Sequence, residues 1–243
     1  MVVSHGKNLI LSRSSRKSLD NIPERRLYGR RIGKPLGKQR AEAIDRLLPL
    51  LCVPEAALNG QADLDPARLF SSPKTQIWME IGFGNGEHLL ALLRQYPEIG
   101  FLGAEPFING MAALLKELDK NDNIRVLMDD AMRLIASLKD QSLDRLYILN
   151  PDPWPKKRHH KRRIVSQENL SAFARVMKPG AEIIMATDVD ELAEWMEEQC
   201  TAHPGFEKIS DAAPPEWIET RYAFKGRSEG RKQSFLIFRK KAI

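Results

Sequence analysis

Residues Glu80-Ile-Gly-Phe-Gly-Asn-Gly86 end an apolar run that begins at Gln76, and a helical pattern starts at Glu87. A buried strand that runs through closely spaced glycines into a helix is typical of the first unit of an α/β sheet. Glycine is the residue that allows a backbone to turn tightly and to approach a ligand closely. The segment therefore predicts a ligand-binding turn at the carboxyl end of a first strand.

The chain beyond this turn alternates between strand and helix patterns. Strands are predicted over 76–81, 100–104, 124–128, 143–149 and 181–186, and helices over 87–95, 107–118, 131–138, 167–177 and 189–200. Final strands are predicted over 205–210 and 233–238, joined by a loop without a helix. We expect an α/β, Rossmann-like fold, which is a mostly parallel seven-stranded sheet with helices on both faces and an antiparallel C-terminal strand.

Three regions differ in composition. Residues 1–40 form a basic arm that we expect to be flexible, and residues 41–75 hold the rest of a helix over Arg40–Leu51 and a connector rich in turn residues. Residues 76–243 form the main domain. Hydrophobic residues make up 42% of the 243 positions, enough for a real core.

Charge is distributed unevenly along the chain. Segments 1–40, 156–163 and 219–241 hold 11, 6 and 8 Lys/Arg against 2, 0 and 2 Asp/Glu. Together they carry +21, which leaves −15 for the rest of a chain with net charge +6. Clustered positive charge indicates nucleic acid, and the absence of a long amphipathic basic face argues against a membrane surface.

Two cysteines outside any CxxC pair favour a reducing, cytoplasmic location, and no apolar run is long enough to span a membrane. His159 and His160 read as part of a cationic loop, so we expect no metal site. The sequence leaves monomer and homodimer open.

Acidic residues lie at the ends of the first three predicted strands and indicate the cofactor. Glu105 lies 23 residues after Gly82, where dinucleotide folds place the carboxylate that binds ribose hydroxyls, and Asp129-Asp130-Ala131 follows the third strand. A nicotinamide or flavin dinucleotide favours GxGxxG, whereas this turn has GxGxG flanked by Glu80 and Glu87. These carboxylates oppose a pyrophosphate but suit the ammonium group of S-adenosylmethionine.

The fourth strand is followed by Asn150-Pro-Asp-Pro-Trp-Pro-Lys156 and a basic run to Arg163. The prolines predict a stiff, non-helical loop that displays Asp152 beside groups suited to phosphates. Trp154 is either a stacking surface for a base or an anchor that packs the loop against the body.

These motifs, in this order, resemble the tRNA (guanine-N7-)-methyltransferase family of class I S-adenosylmethionine-dependent methyltransferases over about residues 74–239. The family implies methyl transfer from S-adenosylmethionine to N7 of guanine 46 in the tRNA variable loop. By resemblance, the cofactor contacts are Glu80, Gly82, Gly84, Gly86, Glu105, Asp130 and Asp152, with Asp152 also the catalytic-loop acid. The implied tRNA contacts are Lys156, Asp188, Thr220, Arg221 and Tyr222.

Ala223 departs from the resemblance, because the family usually has Glu there. Guanine N7 carries a free lone pair, so orientation and electrostatics suffice for transfer, and Asp152 and Asp188 are predicted to hold the base. Two alternatives remain open. One is a methyltransferase that acts on an amino group of adenine or cytosine, and the other is a non-catalytic RNA-binding module with the same fold.

Overall fold

The computed structural model describes residues 28–29, 31–118 and 123–242. A seven-stranded sheet with the order β3-β2-β1-β4-β5-β7-β6 forms its centre. The strands are β1 Ile77–Ile81, β2 Gly100–Ala104, β3 Ile124–Leu127, β4 Leu143–Leu149, β5 Met177–Thr187, β6 Phe206–Ser210 and β7 Ser234–Lys240. The helices are α1 Lys38–Leu51, α2 Glu87–Gln95, α3 Ile108–Glu117, α4 Ala131–Ser137, α5 Gln167–Val176, α6 Asp190–Ala202 and α7 Arg221–Ser228.

Strands β1 to β5 pair in parallel, and β7 pairs antiparallel with both β5 and β6. This confirms the expected fold class. Every residue of β1 and β2 is buried, as required of strands covered on both faces. Because β1 to β5 are parallel, their carboxyl ends meet at one edge of the sheet. Glu80 lies in the last two residues of β1 at this edge, and Glu105 and Asp130 follow β2 and β3.

Side chains alternate between the two faces of the sheet and form a hydrophobic core on each face. Met79 and Ile148 pack in the core that α4, α5 and α6 cover, whereas Trp78 and Tyr147 pack in the core beneath α1, α2 and α3. Each fully buried large apolar side chain contributes about 1.5–3 kcal/mol relative to leaving it exposed. The two cores hold the strands in place, and the ends of the strands determine where the site residues lie.

The connector before β1 is tied to the domain. Backbone bridges join Cys52 to Val126 and Leu64 to Leu138, and 3-10 helices cover Glu55–Ala57 and Pro66–Leu69. Helix α1 begins at Lys38 and packs against α3.

The predicted loop between the last two strands is wrong, because α7 lies between β6 and β7. The helix starts where the Thr220 hydroxyl accepts a hydrogen bond from the Ala223 N–H at 3.2 Å, and Gly230 follows its end with φ +78°. Its eight residues bury only Ala223 and Gly226, so they show no apolar periodicity. Tertiary contacts and capping thus form a helix that the hydrophobic pattern could not predict.

Candidate active site

The glycine turn at the end of β1 leaves open space on one side. Gly82, Gly84 and Gly86 all have positive φ, from +56° to +78°, which other residues adopt only at a cost. A Cβ on Gly82 or Gly84 would meet no atom within 4 Å, whereas one on Gly86 would meet the Leu114 side chain at 2.6 Å. The first two glycines thus border a cradle, and the third allows α2 to pack on α3.

Glu105, at the end of β2, organises this turn. Its Oε2 accepts the N–H of Gly84 at 2.8 Å, and its Oε1 accepts the N–H of Phe107 at 2.9 Å. Burial raises the pKa of the Glu105 carboxyl, the two backbone N–H groups lower it, and the nearby carboxylates of Asp152 and Glu80 raise it further, with a net rise. A carboxylate has about four lone-pair sites, so two remain for a ligand's hydroxyl groups.

Two further glutamates flank the turn and have different partners. The Glu80 carboxylate is buried and lies 2.9 Å from Nδ1 of His88. Glu87 accepts the backbone N–H of Arg221 at 2.5 Å and lies 2.9 Å from its Nε. Glu87 therefore attaches α7 to the start of α2, whereas Glu80 is paired with His88 inside the domain.

The acids after β3 also divide their roles. Asp129 pairs with Arg133 at 2.7 Å and with Arg31 at 3.8 Å. Asp130 caps α4, with its Oδ1 accepting the N–H of Met132 at 2.9 Å. Asp130 retains a second carboxylate oxygen at the half-buried strand end, where an exocyclic amino group could donate to it.

The loop after β4 is held at both ends of its Pro-Asp-Pro-Trp-Pro segment. Asn150, with φ +49°, donates its N–H to the Ala186 carbonyl at 2.7 Å and accepts from the Gln233 side chain at 3.0 Å. Trp154 has φ +43°, a strained value for a bulky residue. The loop thus holds an unusual backbone that displays Asp152.

Trp154 is half-buried and packs into an aromatic and cationic cluster. Its ring lies 6.2 Å from Tyr28 and 5.9 Å from His159, and the Arg162 guanidinium lies 4.9 Å from its ring centre. These contacts are those of a loop anchor, one of the two roles considered for Trp154.

Asp152 itself is exposed, but the crowded surroundings of its carboxyl raise its pKa. The Asp152 carboxylate contributes to the raised pKa of both Glu105 and Tyr222. In the sheet, the strand before Asp152, β4, lies between β1 with its glycine turn and β5.

Asp188 follows β5, the strand next to β4, as expected. It is buried, and its Oδ2 accepts from Nε of Arg231 at 2.7 Å. Tyr222 is half exposed, and its pKa is raised by partial burial and by the neighbouring carboxylates of Asp188 and Asp152. Asp188 thus lies against α7, the helix that carries Tyr222, and follows the strand that pairs with β4, after which Asp152 stands. Arg231, which no sequence pattern indicated, also belongs to the candidate site, because it forms an ion pair with Asp188.

The basic run after this loop is partly structural. Lys156, Lys157, Arg158 and Lys161 are exposed on or beside the 3-10 helix Lys157–Arg162. Arg163, in contrast, is buried and donates to the Pro153 carbonyl at 2.9 Å and to Glu191 at 2.8 Å. The expectation that the whole run to Arg163 contacts phosphates is therefore wrong for Arg163, which the loop uses as an internal support.

The arm has a contact with the site that the sequence did not indicate. Residues 1–27 and 30 lie outside the described part of the chain. The backbone carbonyl of Arg31 accepts the Ile108 N–H at 3.1 Å. The Asn109 side chain accepts the Gly33 N–H at 3.0 Å and donates to the Lys34 carbonyl at 2.8 Å. Tyr28 packs on Trp154 and beneath Arg162. This short segment crosses the carboxyl edge of the sheet.

A buried polar network anchors the segment before α7. Glu216 accepts from Arg145 at 2.6 Å and from the Tyr147 hydroxyl at 2.9 Å. Burial and the nearby Glu216 raise the pKa of Tyr147 above its ordinary value. No periodic pattern signalled Glu216, because its partners are 71 and 69 residues away in the chain.

Among the described residues, no group of three or more His, Cys, Asp or Glu side chains is placed to hold a metal ion. Within the same ranges, no helix is long and apolar enough to cross a membrane.

Comparison with solved structures identifies the fold. The 16S rRNA methyltransferase KamB superposes with a TM-score of 0.56 at 19% identity, covering 72% of this chain and 91% of that one. The aminoglycoside resistance methyltransferase NpmB1 gives 0.51 at 19% identity, covering 69% and 88%. The chain thus has the class I methyltransferase fold.

Sequence relatives identify the family. Residues 74–235 match the family model described as "Putative methyltransferase". A tRNA (guanine-N(7)-)-methyltransferase of Rhodospirillum rubrum is 42% identical, covering 89% of this chain and 88% of its own length. One of the same name from Rhizobium etli is 45% identical, covering 88% and 95%. The chain belongs to the tRNA (guanine-N7-)-methyltransferase family.

Proposed function

We propose that the protein transfers a methyl group from S-adenosylmethionine to N7 of a guanine in tRNA, at position 46 of the variable loop, giving 7-methylguanosine. The observation that carries the proposal is that Asp152 follows β4, which pairs with β1, the strand before the glycine turn, on one side and with β5, the strand before Asp188, on the other. The similarity to relatives named for this reaction supports the same assignment.

The residues at the glycine turn fit S-adenosylmethionine. The space beside Gly82 and Gly84 accepts a ligand in contact with the backbone. Glu105 would accept ribose hydroxyls, Asp130 the adenine amino group and Glu80 the ammonium group. These carboxylates suit a ligand without phosphates. When bound, S-adenosylmethionine supplies an electrophilic methyl group on a sulfonium centre.

Methyl transfer to guanine N7 requires no general base, because this nitrogen has a free lone pair. The protein's task is to hold the base in line and to stabilise the positive charge that develops on the purine ring. Asp152 is the carboxylate that we assign to this task, because the proline-rich loop fixes the backbone on either side of it. Guanine also presents N1–H and N2–H₂ donors that a carboxylate can accept.

Substrate contacts would come from both sides of Asp152. Asp188 is already paired with Arg231, so we assign these two residues to the guanine pocket as a unit. Tyr222 offers an exposed ring and hydroxyl, and Arg221 is exposed for phosphate contact. Lys156 and the exposed residues of the 3-10 helix would bind phosphates, with affinity that falls steeply with salt.

The experiment is incubation of the protein with labelled S-adenosylmethionine and two tRNA transcripts, one natural and one with guanine 46 replaced by adenine. The modified atom is then identified by nuclease digestion and mass spectrometry. We expect 7-methylguanosine in the first transcript only. Label on an exocyclic amino group would instead identify an amino-group methyltransferase. Failure to bind S-adenosylmethionine in calorimetry would leave an RNA-binding module.

A cytoplasmic location, which the cysteine usage favours, belongs to the same proposal.

A further inference from the structure

His88 is a buried titratable residue for which the reaction itself has no use. It is the second residue of α2 and is 2% exposed. Its Nδ1 lies 2.9 Å from Oε2 of Glu80, while its Nε2 is buried without a hydrogen-bond partner among the described residues. A buried polar atom left unpaired costs about 1–3 kcal/mol, so an apolar residue would fill this space more favourably.

The unpaired Nε2 defines the direction of the hydrogen bond to Glu80. A proton on Nε2 would be a buried donor without an acceptor, which disfavours that tautomer. The remaining neutral form carries its proton on Nδ1 and donates it to the Glu80 carboxylate. The bond therefore occupies one of the two carboxylate oxygens of Glu80.

Packing fixes the orientation of the imidazole. Its ring lies 4.9 Å from the ring of Tyr147, with the planes at 63°, and 6.0 Å from that of Trp217. Trp217 in turn packs on Phe235 at 4.9 Å. The ring cannot turn without displacing core aromatics, so Glu80 receives its hydrogen bond from a rigid donor.

We propose that His88 is a positioning residue, which holds the Glu80 carboxylate so that its second oxygen binds the ammonium group of the cofactor's methionine part. The inference rests on the proposed function, because it requires S-adenosylmethionine as ligand. Glu87 is less suited to this role, because its Oε2 accepts the Arg221 backbone N–H and its Oε1, although it makes no hydrogen bond, lies 2.9 Å from the Arg221 guanidinium and is paired with that charge.

The test uses the full chain without tRNA and measures binding by calorimetry. The ligands are S-adenosylmethionine, S-adenosylhomocysteine and 5′-methylthioadenosine, which lacks the amino-acid part. The variants are His88→Leu, which removes the donor, and His88→Asn, whose amide nitrogen is as many bonds from Cα as Nδ1 is. His88→Gln is the matched control, because it places an amide one bond further out.

We expect His88→Leu and His88→Gln to weaken binding of the two amino-acid ligands about tenfold, the loss of one charge-assisted hydrogen bond, and to leave methylthioadenosine within about twofold. His88→Asn should recover affinity to within about threefold of the unmodified chain. In a Glu80→Gln background, His88→Leu should no longer change the ratio of the affinities for S-adenosylmethionine and methylthioadenosine.

Equal weakening of all three ligands would show a general structural role and overturn the inference, as would unchanged binding by His88→Leu. If His88→Leu does not fold, the comparison of His88→Asn with His88→Gln decides, and equal ligand ratios for these two would overturn it. If the unmodified protein binds none of the ligands, the proposed function fails. If it binds them but the ratio is insensitive to residue 88, only the role of His88 fails.

Discussion

Gly110 of α3 is the position at which one added methyl group should damage the cofactor site. A Cβ there would lie 2.4 Å from the Gly84 carbonyl oxygen, where ordinary contacts begin at 3.4 Å, and 3.3 Å from Cγ of Glu105. Either α3 or the glycine turn must therefore move by about 1 Å in Gly110→Ala. The Gly84 N–H donates to Glu105, so this movement disturbs the carboxylate assigned to the ribose.

The expected stability change is small because two effects oppose each other. Alanine in place of glycine inside a helix gains about 1 kcal/mol, whereas overpacking costs about 1–3 kcal/mol. The free energy of unfolding should thus fall by about 0–2 kcal/mol, and the Tm by no more than about 8 °C for a domain of this size. Cofactor binding should be affected more clearly than stability. We expect Kd for S-adenosylmethionine to rise about tenfold or more, equivalent to about 1.4 kcal/mol.

Gly226→Ala is the matched control. This glycine also lies in a helix, α7, but its Cβ would meet Oδ2 of Asp188 at 2.5 Å, on the substrate side. Calorimetry of S-adenosylmethionine, thermal unfolding and steady-state kinetics with tRNA separate the two variants. Gly226→Ala should raise KM for tRNA and leave the cofactor Kd within about twofold. Wild-type cofactor affinity in Gly110→Ala, or equal loss in both variants, would refute the reasoning.

Three further predictions concern charge. Asp152→Asn keeps the shape of the side chain but removes its charge, so kcat/KM for tRNA should fall about 10- to 100-fold, and an unchanged value in steady-state kinetics would contradict the assigned role. The second prediction concerns Glu105, whose carboxyl has a raised pKa. The ionised carboxylate binds the cofactor, so affinity should be full at neutral pH and should fall on acidification. Because the pKa is raised, this fall should begin at a higher pH than the protonation of an exposed glutamate. A calorimetric Kd that stays flat down to about pH 5, where an ordinary glutamate is still ionised, would oppose this. Arg163→Met should lower the free energy of unfolding by about 2–3 kcal/mol in denaturant titrations. Lys157→Ala should leave the free energy of unfolding unchanged and reduce the salt dependence of tRNA binding by about one charge. The reverse pattern would contradict the assignment of Arg163 to the interior and of Lys157 to phosphate contact.

The sequence predicted the sheet well because its strands are buried on both faces. Strand β4 was predicted with its observed bounds, and β1 within one residue, since continuous apolar runs between turn residues have few other interpretations. Helix α7 was missed because only Ala223 and Gly226 are buried in it. Its formation depends on the Thr220 cap and on Glu87 and Asp188, which are distant in the chain.

The candidate site was predicted unevenly for the same physical reason. Parallel strands must bring their carboxyl ends together, so Glu80, Glu105 and Asp130 could be assigned to one edge from the sequence. Ion pairs across the fold leave no local pattern, and the partners Arg231 of Asp188 and Glu191 of Arg163 were not foreseen. A run of like charges likewise gives no sign of which member turns inward.

The contacts of α7 explain how cofactor and substrate sites keep their relative position. Arg221 joins its first turn to Glu87 at the start of α2, and Gly226 rests against Asp188 at the end of β5. Glu216, just before the helix, is bonded to Arg145 and Tyr147 of β4. Transfer in line between two bound molecules tolerates little displacement, since about 1 Å can cost about 100-fold in rate. Helix α7 and the segment before it are thus attached to α2, β4 and β5. These attachments supply the rigidity that the helix, with only two buried residues, does not supply by itself.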